Sequence, residues 1–297
     1  MRTVDLHTHS SYSDGTFGPT ELVSEAVRVG LAAISLTDHD TLAGVEEAQA
    51  AGHLMNIEVM SGIEISASHE GNSVHILGYG VPGHDPDLNG LIRDLQEIRT
   101  TRNQKILARL AEQRIIISDD DLQAISRGLI GRPHIAQLLI RKGIVKTFDQ
   151  AFDRYLKKNG KAWVQTVRFP ASEAIRIVKN AGGLPVLAHP GAVVNKASSI
   201  RKTIEQLTSH GLAGIEAIYP GHSTTLNRQL IEIAGEFHLL VTGGSDFHGN
   251  MKQIRLGGRP VMPQVPYTLF QKLKDRLAEK SPDHAPSSLQ TLPNTQV

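Results

Sequence analysis

Two histidines one residue apart, His7 and His9, close the apolar run that begins at Thr3, and Asp14 follows in the next turn. A second run ends in Asp38, His39 and Asp40; a third carries Glu64, and a fourth carries His75. His189 follows a fifth run, and Asp246 with His248 follows the last. Each has a bland reading when taken singly. A lone His-x-His is more often surface than metal site, Asp38-His39-Asp40 could cap a helix, and His75 in Val-His-Ile-Leu could be a satisfied core residue. Glu64 in Gly-Ile-Glu-Ile-Ser is harder to dismiss, because a carboxylate inside an apolar strand is costly unless it is paired or metal-bound. The joint pattern decides: six runs bring His or carboxylate to or near their ends, and independent core histidines have no reason to do so. The chain spends 14 residues on His while only 4% of it is Phe, Trp or Tyr.

The donor set of His7, His9, Asp14, His39, Glu64, His75, His189, Asp246 and His248 is six imidazoles and three carboxylates without sulfur. Mixed nitrogen and oxygen ligation suits Mn, Fe or Zn better than Mg or Ca, and Mn is the favoured ion here. A single tetrahedral zinc takes about four ligands. Nine donors, with Glu64 able to bridge, therefore imply two or three divalent ions. Three such ions outweigh three carboxylates, so the pocket stays positive and wants an anionic substrate, most simply a phosphate ester. The chain has no Cys, which excludes disulfides, thiolate nucleophiles, zinc ribbons and iron–sulfur clusters.

These residues need strands to aim them. Seven short apolar runs alternate with helical patterns: Thr3–Leu6, Ala32–Thr37, Ile57–Ile65, Ser73–Tyr79, Leu184–Ala188, Gly214–Ile218 and Leu239–Thr242. Alternation of this kind predicts a parallel β/α architecture. Residues two apart on a strand face the same way, so His7 and His9 point together, as do Asp246 and His248. In parallel β/α barrels the carboxyl ends of the strands build the active site. Thr20 reads as the N-cap of the first helix, with Gly30 past its end. Pro170-Ala171-Ser172 opens another helix, stopped by Gly182-Gly183. The stretch between the fourth and fifth runs reads as helix only, with starts at Ser118-Asp119, at Gly131-Arg132-Pro133 with Pro133 at the first helical position, and at Thr147. The expected division is a barrel over 1–97 and 166–280, a helical insertion over 98–165 and a disordered tail over 281–297.

Lys plus Arg is 31 and Asp plus Glu is 30, a net charge of +1, without the basic excess of a chain that coats nucleic acid or an acidic membrane. No run approaches the roughly 20 apolar residues of a membrane span, and the N-terminus carries no signal-peptide core. The expectation is a cytoplasmic protein with no membrane association and no obligate protein partner.

At these residues the sequence resembles the PHP family, named for polymerase and histidinol phosphatase domains. The matching motifs are Asp5-Leu6-His7-Thr8-His9, Thr37-Asp38-His39, Ala188-His189-Pro190 and Ser245-Asp246-Phe247-His248, with Glu64 and His75 between them. The resemblance covers residues 1–258 and implies an α/β fold, a distorted seven-stranded (β/α) barrel with the helical insertion beside it. It assigns His7, His9, Glu64 and Asp246 to one metal, Glu64, His75 and His189 to a second, and Asp14, His39 and His248 to a third. Within the family the likeness is to phosphoesterases that hydrolyse nucleoside 3′,5′-bisphosphates or trim RNA from its 5′ end, and Gly131-Arg132-Pro133-His134-Ile135-Ala136 supports that subgroup. One departure is Ala192, where some members carry Arg after Ala-His-Pro-Gly.

The implied function is hydrolysis of a nucleotide-type phosphomonoester, most simply a nucleoside 3′,5′-bisphosphate, by metal-held hydroxide attacking phosphorus, with AMP or phosphate as product. The alternatives are a 5′→3′ exonuclease on short RNA or DNA, a histidinol-phosphate phosphatase, and a non-catalytic metal-binding module. Arg132 and His134 at a helix start and Lys161 before Trp163 are the candidate substrate cations. Glu64 is the candidate catalytic carboxylate. His222, after the sixth run, is the candidate that bonds substrate or protonates the leaving group. Arg93, Arg99, Arg102, Lys105 and Arg109 form one basic helix face, and Trp163 reads as core rather than as a base-stacking platform.

Overall fold

A computed structural model describes residues 2–280 apart from 127, 167–168, 193–196 and 252; the expected tail over 281–297 lies outside the described residues. Seven strands fall on the seven runs: β1 (Thr3–Thr8), β2 (Ala33–Leu36), β3 (Glu58–His69), β4 (Asn72–Tyr79), β6 (Leu184–Leu187), β7 (Gly214–Ile218) and β8 (Leu240–Gly243), with the two-residue β5 (Phe169–Pro170) and β9 (Val265–Pro266) added. A pair of residues carries no periodicity, so these two short strands leave no mark on the sequence pattern. The sheet order is β8-β7-β6-β4-β3-β2-β1-β9, with β5 beside β3. At the seam between the two ends, His9 N–H donates to the Phe247 carbonyl at 2.9 Å, and Ser245 N–H donates to Asp5 at 2.9 Å. The result is a nearly closed, barrel-like sheet.

The sheet is not wholly parallel, which corrects the sequence expectation. β1, β2 and β3 run parallel, as do β6, β7 and β8, but β4 is antiparallel to both β3 and β6. Only Glu70 and Gly71 separate β3 from β4, both at positive φ (46° and 79°). A two-residue loop of that conformation closes a hairpin, whereas a parallel crossover needs about a dozen residues or more.

Helices α1 (Pro19–Arg28) and α2 (Val45–Met55) cover the first strands. α1 begins at Pro19 with Gly18 as its cap residue, the Gly18 N–H donating to Glu21 at 2.9 Å. Thr20 is therefore not the cap; its hydroxyl donates to Glu47 at 2.8 Å. The segment between β4 and β5 is helical: α3 (Pro86–Glu112), α4 (Asp119–Gln123), α5 (Arg132–Arg141) and α6 (Phe148–Ala151), the last continued by a turn over Phe152–Leu156. Ser118 and Thr147 cap α4 and α6 through side-chain oxygens. α5 starts one residue early, at Arg132, which puts Pro133 at its second position. α3 is shared between two cores. Leu88, Leu91, Ile92 and Leu95 pack with β3, β4 and α7 (Ala171–Asn180), while Ile106 and Leu110 pack with Ile135, Leu139, Tyr155 and Leu156. The 97/98 division thus falls inside one helix. α8 (Ala197–Ser209), α9 (Thr224–Glu236) and α10 (Tyr267–Ala278) complete the outer layer. Among the described residues no helix is long and apolar enough to cross a membrane.

Candidate metal centre

His7, on β1, and His9, just past its end, point the same way, with Nε2 atoms 3.1 Å apart. The loop that follows carries Asp14 and is pinned by Asp38, which accepts from Ser10 N–H at 2.7 Å and from the Ser10 and Ser13 hydroxyls at 2.5 Å each. Asp5 does the same across the seam, accepting from Ser245 N–H, the Ser245 hydroxyl and Gly257 N–H. Two buried carboxylates from the sequence motifs are thus spent on loops that place the metal-ligating types.

Glu64 stands at the middle of the cluster. Its Oε2 lies 3.3 Å from His7 Nε2, 3.2 Å from His9 Nε2 and 3.1 Å from His39 Nδ1. Its Oε1 lies 2.7 Å from His75 Nδ1 and 2.9 Å from His189 Nε2. One carboxylate therefore faces imidazoles on both sides. Asp246 Oδ1 is 3.6 Å from His7 Nε2, 3.2 Å from His9 Nε2 and 3.4 Å from His248 Nδ1. Asp14 approaches His248 Nε2 at 3.3 Å, His9 Nδ1 at 3.8 Å and His39 Nε2 at 4.0 Å.

Three sets of donor atoms fall within 4.8 Å of one another: His7, His9, Glu64 and Asp246; His9, Asp14, His39 and His248; and His39, Glu64 and His75. The first is the set the resemblance implies. The second adds His9 to the implied trio. In the third, His39 stands where the resemblance puts His189, although His189 still contacts Glu64. The strand-end rule needs correcting for two donors. Glu64 sits mid-strand in β3, and His75 sits in the first half of β4 because that strand runs the other way.

The arrangement fits metal ions. Glu64 Oε2 and His39 Nδ1 are both buried without a hydrogen-bond partner despite lying 3.1 Å apart, so their lone pairs aim past each other. Two imidazole nitrogens facing each other at 3.1 Å cannot both be protonated in comfort. Cations among these atoms satisfy all of them, and mixed His and carboxylate donors are the set expected for such ions. His189 and Asp246 hold positive φ of 57° and 53°, a conformation that costs a non-glycine residue roughly 1–3 kcal/mol and clusters at functional sites. Electrostatics follow. Burial opposes charge throughout, yet the surrounding imidazoles hold Glu64 and Asp14 well below the ordinary carboxylate range. Burial likewise opposes His9, but Asp246 and Glu64 outweigh it and raise its pKa to about 9. For His39 burial wins, lowering its pKa to about 3 and leaving a neutral imidazole.

Sequence reasoning misses Glu216 on β7. It is fully buried, and its two oxygens lie 3.1 and 3.2 Å from His7 Nδ1. It also misses Tyr219, whose hydroxyl donates to Asp246 Oδ2 at 3.1 Å.

Beside the cluster opens a cavity of about 710 Å³ bounded by the β3–β4 hairpin, α3, the start of α5 and the segment 157–166; His75 is in its wall. Arg132 lines it, together with Arg99, Arg102, Lys157 and Lys158. Asp40 is the one carboxylate among its described lining residues, and it is paired with Arg99. Arg93, Lys105 and Arg109 are exposed elsewhere on α3, so the basic face is divided. Lys161 is exposed and does not line the cavity. His134 is buried at the start of α5, where Nδ1 accepts from Gly131 N–H at 3.0 Å. His222 is also committed: Nδ1 donates to the Ala217 carbonyl at 3.1 Å and Nε2 accepts from Gly191 N–H at 3.2 Å, so neither nitrogen is left for a substrate. Trp163 corrects the expectation of a core residue. The helical core takes Ala162 and Val164 on either side but not Trp163, which is half-buried in the cavity wall.

The PHP domain profile matches residues 5–162. The 5′-3′ exoribonuclease of Haemophilus influenzae is 35% identical over 85% of this chain and 92% of its own length. The 3′,5′-nucleoside bisphosphate phosphatase of Chromobacterium violaceum is 30% identical over 93% of this chain and 98% of its own. Among solved structures, a Bifidobacterium adolescentis protein described as a metal-dependent phosphoesterase superposes with a TM-score of 0.83 at 30% identity, covering 93% of this chain and 96% of that one.

Proposed function

The chain belongs to the PHP domain family, and we propose that it is a metal-dependent phosphoesterase that hydrolyses a nucleotide phosphomonoester, most simply a nucleoside 3′,5′-bisphosphate. The observation that carries this reading is the joining of two features: a carboxylate, Glu64, ringed by imidazoles, and a cationic cavity that begins at one of those imidazoles, His75. In this reading two or three divalent ions, Mn by preference, are held by the nine donors named above. When bound, such ions supply Lewis acidity and an activated water for attack on phosphorus.

The chain's own residues supply the rest. Glu216 orients His7, and Tyr219 orients Asp246 from outside the cluster. Asp38 and Asp5 fix the loops that carry Asp14 and Asp246. Arg102 and Arg132 bind the phosphate that is not cleaved; a guanidinium can grip it with two donors. The helical segment 98–165 recognises substrate, and the barrel over 1–97 and 166–280 performs the chemistry. A nucleotide substrate fits a cytoplasmic protein.

The second reading, a 5′→3′ exonuclease on short RNA, uses the same centre and is favoured by the Haemophilus relative. A substrate panel with Mn-loaded protein separates the two. It compares adenosine 3′,5′-bisphosphate, AMP, histidinol phosphate and a 5′-phosphorylated oligoribonucleotide. The bisphosphate should give the highest kcat/KM, with AMP accumulating. A higher value on the oligonucleotide would establish the second reading in its place.

A further inference from the structure

Trp163 is the only tryptophan in the chain, and the fold does not spend it on a core. The backbone on either side is fixed. Trp163 N–H donates to the Gly160 carbonyl at 3.0 Å, Ala162 N–H donates to Tyr155 at 2.9 Å, and the Trp163 carbonyl accepts from Arg109. This anchoring sets Trp163, half-buried, in the wall of the chamber that also contains His75. Leu95, Ile98 and Phe169 supply further apolar wall, while Arg102 and Arg132 supply cations. A ligand that fits such a wall has a flat, weakly polar part and an anionic part. Nucleotides have both.

We propose that Trp163 is the platform on which the base of the substrate stacks, with its phosphates held between the cations and the metal centre. The proposal rests on the nucleotide reading above and adds to it a determinant of specificity. Every nucleobase has a π-face, so a stacking platform selects nucleotides over base-free sugar phosphates while discriminating weakly among bases. Removing one such stack weakens binding by about tenfold or more.

The single tryptophan also provides the probe. Intrinsic fluorescence of the metal-loaded protein should change saturably with AMP and GMP and not with ribose 5-phosphate or inorganic phosphate. Trp163→Ala should raise KM for adenosine 3′,5′-bisphosphate about tenfold, with kcat and the hydrolysis of p-nitrophenyl phosphate little changed. Trp163→Phe, which keeps an aromatic face, should recover most of the loss. Equal losses on both substrates, or no loss on either, would overturn the platform while leaving the nucleotide reading intact. An equal fluorescence response to ribose 5-phosphate would do the same. Wild-type protein that fails to hydrolyse any nucleotide would overturn that reading and this proposal with it.

Discussion

Glu216 holds His7 from beneath: both carboxylate oxygens lie within 3.2 Å of Nδ1, and neither side chain is exposed to solvent. Nδ1 is thereby committed to Glu216, and Nε2 is the nitrogen that faces His9, Glu64 and Asp246 and is placed to ligate a metal ion. Loss of such a supporting carboxylate typically costs about 10–100-fold in metal affinity or activity. Glu216→Ala should weaken Mn binding on that scale in a chelator-competition titration. Glu216→Gln, whose carbonyl oxygen can still accept from Nδ1–H, should recover part of it. Wild-type affinity in the alanine variant would make Glu216 a bystander.

Glu64 faces imidazoles with both oxygens, so its removal should be more damaging than that of Glu216. Glu64→Ala is expected to abolish phosphate release and lower the number of bound ions at saturating metal, read by elemental analysis alongside activity. A variant that keeps most of its kcat under those conditions would show that Glu64 is structural.

Metal binding should release protons. With its pKa raised to about 9, His9 is protonated in the metal-free protein at neutral pH and must shed that proton to become a ligand. Affinity therefore rises with pH toward about 9 and falls below it. Calorimetric titration at about pH 7.5 in buffers of different ionisation enthalpy should show net proton release. Heats that are independent of buffer would contradict this.

Arg132 lines the cavity beside the centre and is not part of it. Arg132→Ala should raise KM for a nucleoside 3′,5′-bisphosphate by about tenfold, the scale of one lost charge-assisted contact. Hydrolysis of p-nitrophenyl phosphate should change much less. Equal losses on the two substrates would move Arg132 to the reacting centre.

Much of this is legible in the sequence because the donors follow strand geometry: His7 and His9, like Asp246 and His248, are spaced to share one face. What escapes does so for physical reasons. Glu216 lies in Gly-Ile-Glu-Ala-Ile, the same pattern of a carboxylate within an apolar strand that singles out Glu64, and that argument applied to it would have found it. The direction of β4 is written in the brevity of Glu70-Gly71, a signal that a count of apolar runs ignores. The pairings of Asp40 with Arg99 and of Tyr219 with Asp246 join segments far apart in the chain, so no local pattern encodes them. His222 reads as a reactive group because it follows the sixth run, yet its two backbone bonds form only in the folded chain.

The central claim is that this cluster holds catalytic metal ions for phosphate ester hydrolysis. Chelator-stripped protein titrated with Mn(II), with phosphate release from adenosine 3′,5′-bisphosphate followed at each addition, tests it in a single series. Activity should be absent at first and should climb to a plateau at two to three equivalents of metal per chain. Full activity in stripped protein holding less than one equivalent, or no phosphate release at any loading, would contradict it.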